Sequence, residues 1–343
     1  MNKDDIMTLL NKILKNMSCK ELALKLNISK GTINRWIELK KIPSSYNFEL
    51  MKLLNIKIDY SKYTFKDKDQ FYTHIETATY CYNIFQEILK KYENNNNYTY
   101  IEPSAGSGNF VKVLPKNTIA LDVESKNDNI LEQDYLTWKP NDDNKKYIVF
   151  GNPPFGLRGQ LALKFINHSF EFADYVCFIL PQLFESDGKG SPMKRVIGYN
   201  LLHTEKLNTN FINPDNTKIK VNCIFQIWSK FHINKILIPK TIDTTIMKIY
   251  SLSDGGTSSS TRNAKMFQSC HIYIPSTCFG IDNMKPYDKF EELPCKRGYG
   301  IVFNKNIKNN ILKFKNIIWS DVAFLSTNSA YNIRISKISN MFI

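Results

Sequence analysis

The sequence predicts a protein of the α/β class, with a doubly wound core, a small all-α region before it and an α+β region after it. Two observations predict the core: short β-branched and aromatic runs recur between residues 98 and 228, and helical patterns separate several of them. Alternation of strands and helices is typical of a mainly parallel sheet covered by helices. A third observation, the helical periodicity of apolar residues near the N-terminus, predicts the all-α region.

Length and composition place the chain among soluble globular proteins. It has 343 residues, 43% hydrophobic and 23% charged, which is enough material for two or three domains. It contains no run of 18 apolar residues, and Asp4 and Asp5 leave no apolar signal core at the N-terminus. The seven cysteines lack CxxC spacing and the five histidines lack ligand spacing, so neither a disulfide framework nor a metal site is predicted. We expect an intracellular protein without membrane contact, in the cytoplasm or nucleoid or in a virus- or phage-infected cell.

The net charge of +14 is unevenly distributed along the chain. It amounts to +5 over residues 1–60, +1 over 61–233 and +8 over 234–343. These are the boundaries of the three domains that we expect. Basic flanks around a neutral centre are expected of a protein that holds a polyanion by its ends, although a solvated basic surface has the same composition. The chain has 40 Lys and only 6 Arg, as AT-rich coding would give, so the arginines are the more informative cations.

The segment 18–36 has the features of two short helices joined by a tight turn. Ser18 and Glu21 have the spacing of a capping box, and Asn27 belongs to the residue types that tolerate a left-handed turn. Trp36 and the apolar residues before it give the second helix an inner face. Its outward positions are Lys30, Thr32, Asn34 and Arg35.

This arrangement resembles the helix-turn-helix of small repressor-like DNA-binding domains, over about the first 58 residues. The resemblance implies that the second helix is a recognition helix and that its outward residues contact DNA. A plain helical hairpin or a protein-docking module is the alternative.

A glycine-rich motif, IEPSAGSGNF, occupies residues 101–110 directly after a predicted strand at 98–101. Small residues at 104–108 let the backbone turn tightly and approach a ligand. A lone GxG is weak evidence, because a dinucleotide fingerprint has a third glycine. About twenty residues later Asp122 ends the next predicted strand, where a carboxylate can accept both hydroxyls of a ribose. This spacing predicts a nucleoside cofactor.

A second motif, GNPPFG, occupies residues 151–156 after the apolar strand 147–150. Its two prolines fix the backbone and remove two N–H donors, so that carbonyl oxygens and the Asn152 side chain can converge on an exocyclic amine. Phe155 can stack on the ring that carries the amine. By itself, a rigid strand-to-helix turn explains the motif as well. Its place downstream of the glycine-rich motif favours the functional interpretation.

Together the two motifs resemble the S-adenosylmethionine-dependent amino-group DNA methyltransferases, in particular the N6-adenine enzymes. The resemblance covers about residues 65–233 and implies a Rossmann-like doubly wound methyltransferase core. The segment 69–73 resembles the part that closes over the methionine end of the cofactor, and 221–228 the strand after the target-base pocket. With a basic region last, the linear order resembles the gamma arrangement, whose C-terminal domain reads the DNA sequence.

The resemblance also implies roles for single residues. Thr73 and Glu102 would hold the methionine carboxylate and ammonium, Asp122 the ribose and Asp134 the adenine amino group. The cofactor-binding set that it implies is Thr73, Glu102, Pro103, Ser104, Ala105, Gly106, Gly108, Phe110, Asp122, Val123, Asp134 and Tyr135. The catalytic set is Asn152, Pro153, Pro154 and Phe155.

Methylation of an aromatic amine needs no covalent intermediate and therefore no catalytic cysteine. Asn152 and the Pro153 carbonyl would accept the two N6 hydrogens and aim the nitrogen lone pair at the methyl group. The base would have to be flipped out of the duplex. Cys177 and Cys223 lie in apolar runs and are expected in the core. Phe211 is a candidate second wall of the base pocket, with core or loop packing as the alternative.

The C-terminal region, 262–343, interleaves basic and aromatic residues after a Gly/Ser-rich segment, 251–265, that is typical of a flexible linker or loop. Gly298 and Gly300 predict a turn. We expect a target-recognition domain in which an arginine contacts a guanine or a narrow minor groove. A structural lid with a solvated basic face is the alternative. The expected DNA contacts are Arg262, Arg297, Tyr299 and Arg334.

The sequence therefore predicts an adenine-specific DNA methyltransferase of the restriction-modification or regulatory type, with double-stranded DNA as partner and S-adenosylmethionine as cofactor. A cognate restriction endonuclease and the oligomeric state are left open. RNA methyltransferases acting on guanine N2 or adenine N6, and glutamine methyltransferases of release factors, carry related loops. A transcriptional regulator with a decayed methyltransferase fold is the non-enzymatic alternative, and the intact Glu102, Gly106 and Asn152 argue against it.

Overall fold

The computed structural model describes residues 3–26, 28–93, 97–125, 127–188, 190–208, 210–215, 217–237, 243–326 and 329–342. The chain divides into two compact units, Met1–Phe71 with Asn213–Asn216, and Tyr72–Ile212 with Thr217–Ile343. The second unit contains both the central and the C-terminal region, and the finer division at 60 and 233 stays a prediction. Within the described ranges, every helix is too short or too polar to pass through a lipid bilayer.

The first unit is helical, which confirms the predicted all-α region. Its helices are α1 (Lys3–Leu14), α2 (Cys19–Leu26), α3 (Lys30–Leu39) and α4 (Asn47–Leu53). The predicted capping box begins α2: the Ser18 N–H donates to Glu21 Oε2 at 2.9 Å, and the Glu21 N–H donates to Ser18 Oγ at 3.2 Å. Ser29 caps α3 by accepting from the Thr32 N–H at 3.1 Å. The predicted turn residue Asn27 lies outside the described residues.

One apolar cluster joins the four helices of this unit. Leu22 of α2 and Ile33 of α3 are fully buried in it, and the Trp36 ring packs 4.6 Å from the ring of Tyr46. Because residues three and four apart share a helix face, burying Ile33 and Trp36 leaves the opposite face of α3 to solvent.

The second unit begins with α5 (Ile75–Leu89) and continues into a large sheet with its covering helices. The strands up to residue 229 are β1 (Tyr98–Glu102), β2 (Ile119–Asp122), β3 (Leu131–Glu132), β4 (Lys146–Gly151), β5 (Tyr175–Pro181), β6 (Asn200–Leu207), β7 (Asn210–Ile212), β8 (Lys218–Lys220) and β9 (Cys223–Ser229). The helices between them are α6 (Asn109–Val113) and α7 (Gln160–Ser169).

Seven of these strands form one sheet in the order β3-β2-β1-β4-β5-β9-β6. The first five are parallel, whereas β9 runs antiparallel to both β5 and β6. Strands β7 and β8 form a separate antiparallel pair. Successive strands are added on one side of β1 up to β3 and then on its other side from β4 onwards. The order therefore reverses between β1 and β4, and in such sheets ligands bind at the carboxyl ends of the strands at this point.

Helices cover both faces of the sheet, so the doubly wound α/β class is confirmed. Ile101, Val149 and Val176 point to the face that α7 covers. Their strand neighbours point the other way, where Phe85 of α5 packs 5.8 Å from the ring of Phe150. Strands buried on both faces are continuous apolar runs, which is why the sequence revealed β1, β4, β5 and β9. It did not reveal β6, an edge strand with half-exposed polar residues.

The C-terminal part of the second unit is α+β, as predicted. Its elements are β10 (Met247–Ser253), β11 (Ile272–Pro275), β12 (Thr277–Phe279), β13 (Arg297–Phe303), α8 (Ile307–Asn316), α9 (Trp319–Val322), β14 (Phe324–Leu325), β15 (Ala330–Asn332) and α10 (Ile335–Asn340). Two antiparallel sheets result, in the orders β10-β13-β11 and β12-β15-β14. Phe303, Phe314 and Trp319 fill the apolar cluster beside them.

Two predictions about this region need correction. Gly298 and Gly300 lie inside β13 and not in a turn: a Cβ on Gly298 would stand 2.3 Å from the Ile274 carbonyl oxygen, so the residue permits a close approach of β11. Residues 251–253 belong to β10 and not to a linker, because they pair with residues 297–299 of β13.

Candidate active site

Two loops meet at the point where the strand order reverses. The glycine-rich loop (residues 103–109) follows β1, and the proline loop (residues 152–156) follows β4. The Ser104 hydroxyl of the first donates to the Asn152 backbone carbonyl of the second at 3.1 Å. Because β1 and β4 are adjacent and parallel, both loops leave the same edge of the sheet. The structure thus brings together the two motifs that the sequence analysis singled out.

Glu102, the last residue of β1, is a buried acid with 1% of its surface exposed. Its Oε1 accepts from the Ser104 N–H at 3.2 Å, while Oε2 accepts no hydrogen bond from the described residues. Burial raises the pKa of this carboxyl well above its usual range, and the nearby Asp122 carboxylate adds to the effect. A buried carboxyl oxygen without a donor is costly unless a ligand supplies one, and an ammonium group has the right chemistry.

Gly151 is the residue through which the proline loop contacts this acid. A Cβ on Gly151 would stand 2.3 Å from Oε1 of Glu102, a distance that no side chain tolerates. The glycine that precedes Asn152 therefore allows the Glu102 carboxyl to lie directly against the backbone of β4. This contact places the Glu102 carboxyl directly beside the residue from which the proline loop begins.

Asp122, the last residue of β2, holds the glycine-rich loop from its other side. Its Oδ2 accepts from the Gly106 N–H at 2.8 Å, and its Oδ1 accepts from the Glu124 N–H at 3.0 Å. Gly106 has a φ of +52°, the left-handed conformation that glycine adopts most easily. A carboxylate has about four lone-pair positions, so Asp122 can accept hydroxyl donors in addition to these two N–H groups.

Thr73 and Tyr72 cover the glycine-rich loop. The Thr73 carbonyl accepts from Asn109 Nδ2 at 2.9 Å, and its buried hydroxyl has no hydrogen bond with the described residues. A ring carbon of Tyr72 lies 3.0 Å from the point where a Cβ on Gly106 would stand. Tyr72 is not among the predicted site residues, and its place directly before Thr73 is the signal that could have identified it.

The proline loop is hydrogen-bonded to the first turn of α7. The Phe155 carbonyl accepts from the N–H groups of Leu161 and Ala162 at 3.1 and 3.2 Å. Gly156 has a φ of +64°, and a Cβ there would collide with Leu161 at 2.6 Å. Pro153 is buried and the amide oxygen of Asn152 is buried beside it. The loop is therefore a rigid strand-to-helix turn at the edge of the sheet, with the Asn152 amide oxygen buried in it.

The other predicted cofactor residues form two groups, one that follows β2 and β3 and one within the glycine-rich loop. Val123 is 37% exposed beside Asp122, and the Asp134 carboxylate accepts from the Leu136 N–H at 3.0 Å. Pro103, Ala105 and Gly108 are buried parts of the glycine-rich loop.

Two predicted cofactor residues have their rings in the core and not at the edge of the sheet. The Phe110 ring packs 5.5 Å from that of Phe150. The Tyr135 ring stacks on Phe165, and its hydroxyl lies 2.7 Å from that of Ser169. Both are apolar rings directly beside motif residues, where sequence alone does not separate core packing from ligand contact.

The predicted DNA contacts of α3 lie in the first unit. Lys30, Asn34 and Arg35 are exposed, as expected of outward positions. Thr32 is half-buried, and its hydroxyl oxygen lies 2.9 Å from that of Ser29 at the start of the helix.

The predicted DNA contacts of the C-terminal region differ in exposure. Arg262 and Arg297 are exposed. Tyr299 is 7% exposed, and its hydroxyl donates to the Ile333 carbonyl at 3.4 Å, so this ring belongs to the apolar cluster beside β13. Arg334 is half-buried and donates from Nε to Ser186 Oγ at 3.1 Å.

The remaining candidates are core residues. Cys177 and Cys223 are fully buried in β5 and β9, as predicted, and burial raises the pKa of the Cys177 thiol. Phe211 is 1% exposed in β7, in agreement with the alternative of core packing. Among the described residues, no group of three or more His, Cys, Asp or Glu side chains could hold a metal ion.

No protein-family model matches this chain, and no curated protein matches its sequence. Similar solved structures include an S-adenosylmethionine-dependent methyltransferase from Clostridium acetobutylicum, at 13% identity and a TM-score of 0.24, covering 64% of this chain and 93% of that one. The 23S rRNA methyltransferase ErmE matches at 11% identity and a TM-score of 0.30, over 49% and 74% of the two chains. The type IIG restriction endonuclease BpuSI matches at 15% and 0.36, over 53% of this chain and 26% of its own.

Proposed function

We propose that this protein transfers a methyl group from S-adenosylmethionine to the N6 amino group of an adenine in double-stranded DNA. The contact between the glycine-rich loop and the proline loop carries the proposal. Glu102 touches Gly151, and Ser104 donates to Asn152 at 3.1 Å. A ligand held by the first loop would therefore lie beside the carbonyl and amide oxygens of the second.

The residues at the ends of β1 and β2 fit the polar groups of S-adenosylmethionine. The unused Oε2 of buried Glu102 would accept from the methionine ammonium, and the Thr73 hydroxyl would donate to the methionine carboxylate. Asp122 would accept from the ribose hydroxyls. When bound, the cofactor supplies an electrophilic methyl group on a sulfonium.

The residues of the proline loop fit an aromatic amine. The Asn152 amide oxygen and the Pro153 carbonyl would accept the two N6 hydrogens, and Phe155 would stack on the extruded base. The N6 nitrogen would form the new bond to the methyl carbon, the electrons of the broken sulfur–carbon bond would stay on sulfur, and one N6 proton would pass to solvent. Positioning and fixed dipoles would supply the rate enhancement, so no nucleophilic side chain is needed.

Charge and the first unit support DNA as the substrate. The net charge is +14, and α3 exposes Lys30, Asn34 and Arg35 on the face opposite its core side. Capped helices α2 and α3 with this face outward fit a helix-turn-helix in the major groove. DNA entry to the site requires base flipping.

Mass spectrometry of nucleosides tests the proposal. Plasmid DNA incubated with the protein and S-adenosylmethionine is expected to gain N6-methyladenine, and Asn152→Ala is expected to lower the rate at least about a hundredfold, as the loss of one fixed transition-state contact does. Asn144→Ala is the matched control, because this exposed asparagine lies before the opposite end of β4. It should retain the wild-type rate.

Calorimetric titration with S-adenosylmethionine separates the ways in which the proposal can fail. If RNA or protein is methylated and DNA is not, at normal cofactor affinity, the proposal that DNA is the substrate is wrong. Absence of cofactor binding would contradict the proposed methyltransferase activity and favour a DNA-binding regulator with a decayed cofactor site.

A further inference from the structure

Two of the six arginines, Arg262 and Arg297, lie on either side of a single residue, Ser253. On one side Ser253 and Arg262 exchange backbone hydrogen bonds, N–H to carbonyl, at 3.3 and 2.8 Å. On the other side Ser253 pairs with Arg297 at the end of the β10–β13 ladder. The three residues therefore stand side by side across three neighbouring stretches of backbone.

The two arginine side chains share one face of this small sheet. The side chains of residues directly opposite each other in neighbouring strands point to the same face of a sheet. The side chains of Arg262 and Arg297 therefore both point to the face on which the Ser253 side chain lies. At about 5 Å between strands, their Cα atoms are about 10 Å apart, and their long side chains can reach a common ligand.

Both guanidinium groups are available for a ligand. Each arginine is exposed, and neither forms an ion pair or a side-chain hydrogen bond with any described residue. The half-buried arginines differ: Arg195 donates from Nη1 to Gln160 Oε1 at 3.1 Å, and Arg334 donates to Ser186.

The residues around the pair also suit an anionic ligand. Exposed Lys296 precedes Arg297 and adds a third cation beside the pair. The nearby acid, Asp254, directs its Oδ1 to the Gly256 N–H at 3.2 Å. A turn of hydroxyl residues, Thr257 to Ser260, projects just beyond Ser253, with Thr257 Oγ1 lying 2.6 Å from Ser260 Oγ. Hydroxyl groups and cations are the side chains that contact nucleic-acid phosphates most often.

A series of contacts connects the face of β13 that carries Arg297 to the carboxyl end of β5, beside the candidate active site. Tyr299 points to the same face as Arg297, two residues along the strand. Its hydroxyl donates to the Ile333 carbonyl, and the next residue, Arg334, donates to Ser186, which follows β5. The carboxyl end of β5 lies beside that of β4, where the proline loop begins.

We propose that Arg262 and Arg297 together grip the sugar–phosphate backbone of duplex DNA beside the base that enters the active site. Reading a guanine bidentately is favoured by a guanidinium plane fixed by neighbouring groups, and these two side chains have no such partner among the described residues. Phosphate contacts tolerate mobile cations. The proposal rests on the proposed DNA substrate but not on methyl transfer, because binding is measured without cofactor.

The salt dependence of binding tests the pair. The full chain and its variants are titrated onto a fluorescent 30-base-pair DNA duplex of mixed sequence, by anisotropy, over a series of salt concentrations. Each lost phosphate contact lowers the slope of log K against log salt by about 1, so Arg262→Ala and Arg297→Ala should each lower it by about 1 and the double variant by about 2. Lys305→Ala with Lys308→Ala is the matched control, since these exposed lysines follow the opposite end of β13, about 20 Å away along the strand.

A second readout uses Cys295, an exposed thiol two residues from Arg297. Duplex DNA should slow alkylation of Cys295 in the wild-type chain and in Asn152→Ala, but not in the double arginine variant. An unchanged slope in the double variant, or an equal loss in the lysine control, would overturn the proposal. The titration is repeated on a second DNA sequence and on duplex RNA. A loss confined to one DNA sequence, which indicates base reading, or a loss seen on RNA and absent on DNA would also overturn the proposal. If the cofactor binds normally and DNA does not protect Cys295, the proposed phosphate contacts of the two arginines are wrong, while the proposed methyl transfer is not affected.

Discussion

Glu102 is the residue on which the two loops of the candidate site depend. It ends β1, accepts from Ser104 in the glycine-rich loop and lies against Gly151 at the start of the proline loop. An acid in this position is unfavourable for the ligand-free protein, because burial opposes its charge and Oε2 has no donor among the described residues. Such an arrangement is typical of functional sites, where a ligand compensates for the cost.

The cost of burying the Glu102 carboxyl should appear when the pH dependence of stability is compared between the wild type and Glu102→Gln. Since the folded-state pKa is raised, the native state keeps a proton that the unfolded chain releases near pH 4.3, its ordinary value. The contribution of Glu102 is therefore fully present below about pH 4 and is lost as pH rises toward the folded-state pKa. Glu102→Gln should gain melting temperature over the wild type as pH rises from about 5 to 8, and bind S-adenosylmethionine at least about tenfold more weakly.

Differential scanning fluorimetry over that pH range measures the effect, with exposed Glu132→Gln as the control that should follow the wild type. A melting temperature of Glu102→Gln that falls below the wild type with rising pH would contradict the burial argument. Unchanged cofactor affinity would contradict the role of Oε2.

At the scale of elements, the strands and helices that position the site follow from local sequence. The strands β1, β4, β5 and β9 are apolar runs because the sheet buries both of their faces. The capping box at Ser18 and Glu21 begins α2 through contacts between residues three apart, so sequence alone indicates it. The sequence does not indicate β6, because this edge strand has half-exposed polar residues and therefore lacks a continuous apolar run.

The exposed face of α3 carries a prediction at this scale. The triple variant Lys30→Ala, Asn34→Ala and Arg35→Ala should keep its fold, because these side chains are exposed. If the first unit binds a promoter and represses transcription, the triple variant should lose specific promoter affinity by at least about tenfold while the methylation rate on plasmid DNA stays normal.

Promoter binding and plasmid methylation are measured side by side for this variant. Lys12→Ala with Lys15→Ala removes the same charge from exposed positions near α1 and should leave both unchanged. Loss of methylation in the triple variant would identify the first unit as a substrate anchor, and unchanged promoter affinity would exclude α3 as a recognition helix.

At the scale of the whole molecule, the second unit joins its C-terminal part to its sheet through polar contacts. The Leu325 N–H donates to Gln182 Oε1 at 2.9 Å, just after β5. Lys206 of β6 donates to the Ala323 carbonyl at 2.7 Å, and burial lowers the pKa of this ammonium group. Arg334 adds its bond to Ser186 and lies over the Phe324 ring at 5.8 Å.

Arg334→Ala should therefore destabilise the second unit by about 1 to 3 kcal/mol, since it removes a charged hydrogen bond and a cation–π contact from a half-buried position. Urea denaturation measures the change. Arg262→Ala is the control, because this exposed arginine should contribute less than about 0.5 kcal/mol. A neutral effect of Arg334→Ala would contradict this structural role of Arg334.

The α/β class, the all-α first region and the two motifs could all be predicted from the amino-acid sequence, because they depend on periodicity and on residues close together in the chain. Which neighbours of the motifs face the site depends on packing and could not be predicted. Phe110 and Tyr135 flank motifs and yet pack in the core, whereas Tyr72 covers the glycine-rich loop. The same holds for the arginines: Arg334 is bound to Ser186, while Arg262 and Arg297 lie on either side of Ser253. Contacts between residues far apart in the chain depend on how strands pair and helices pack, and no local pattern records that pairing.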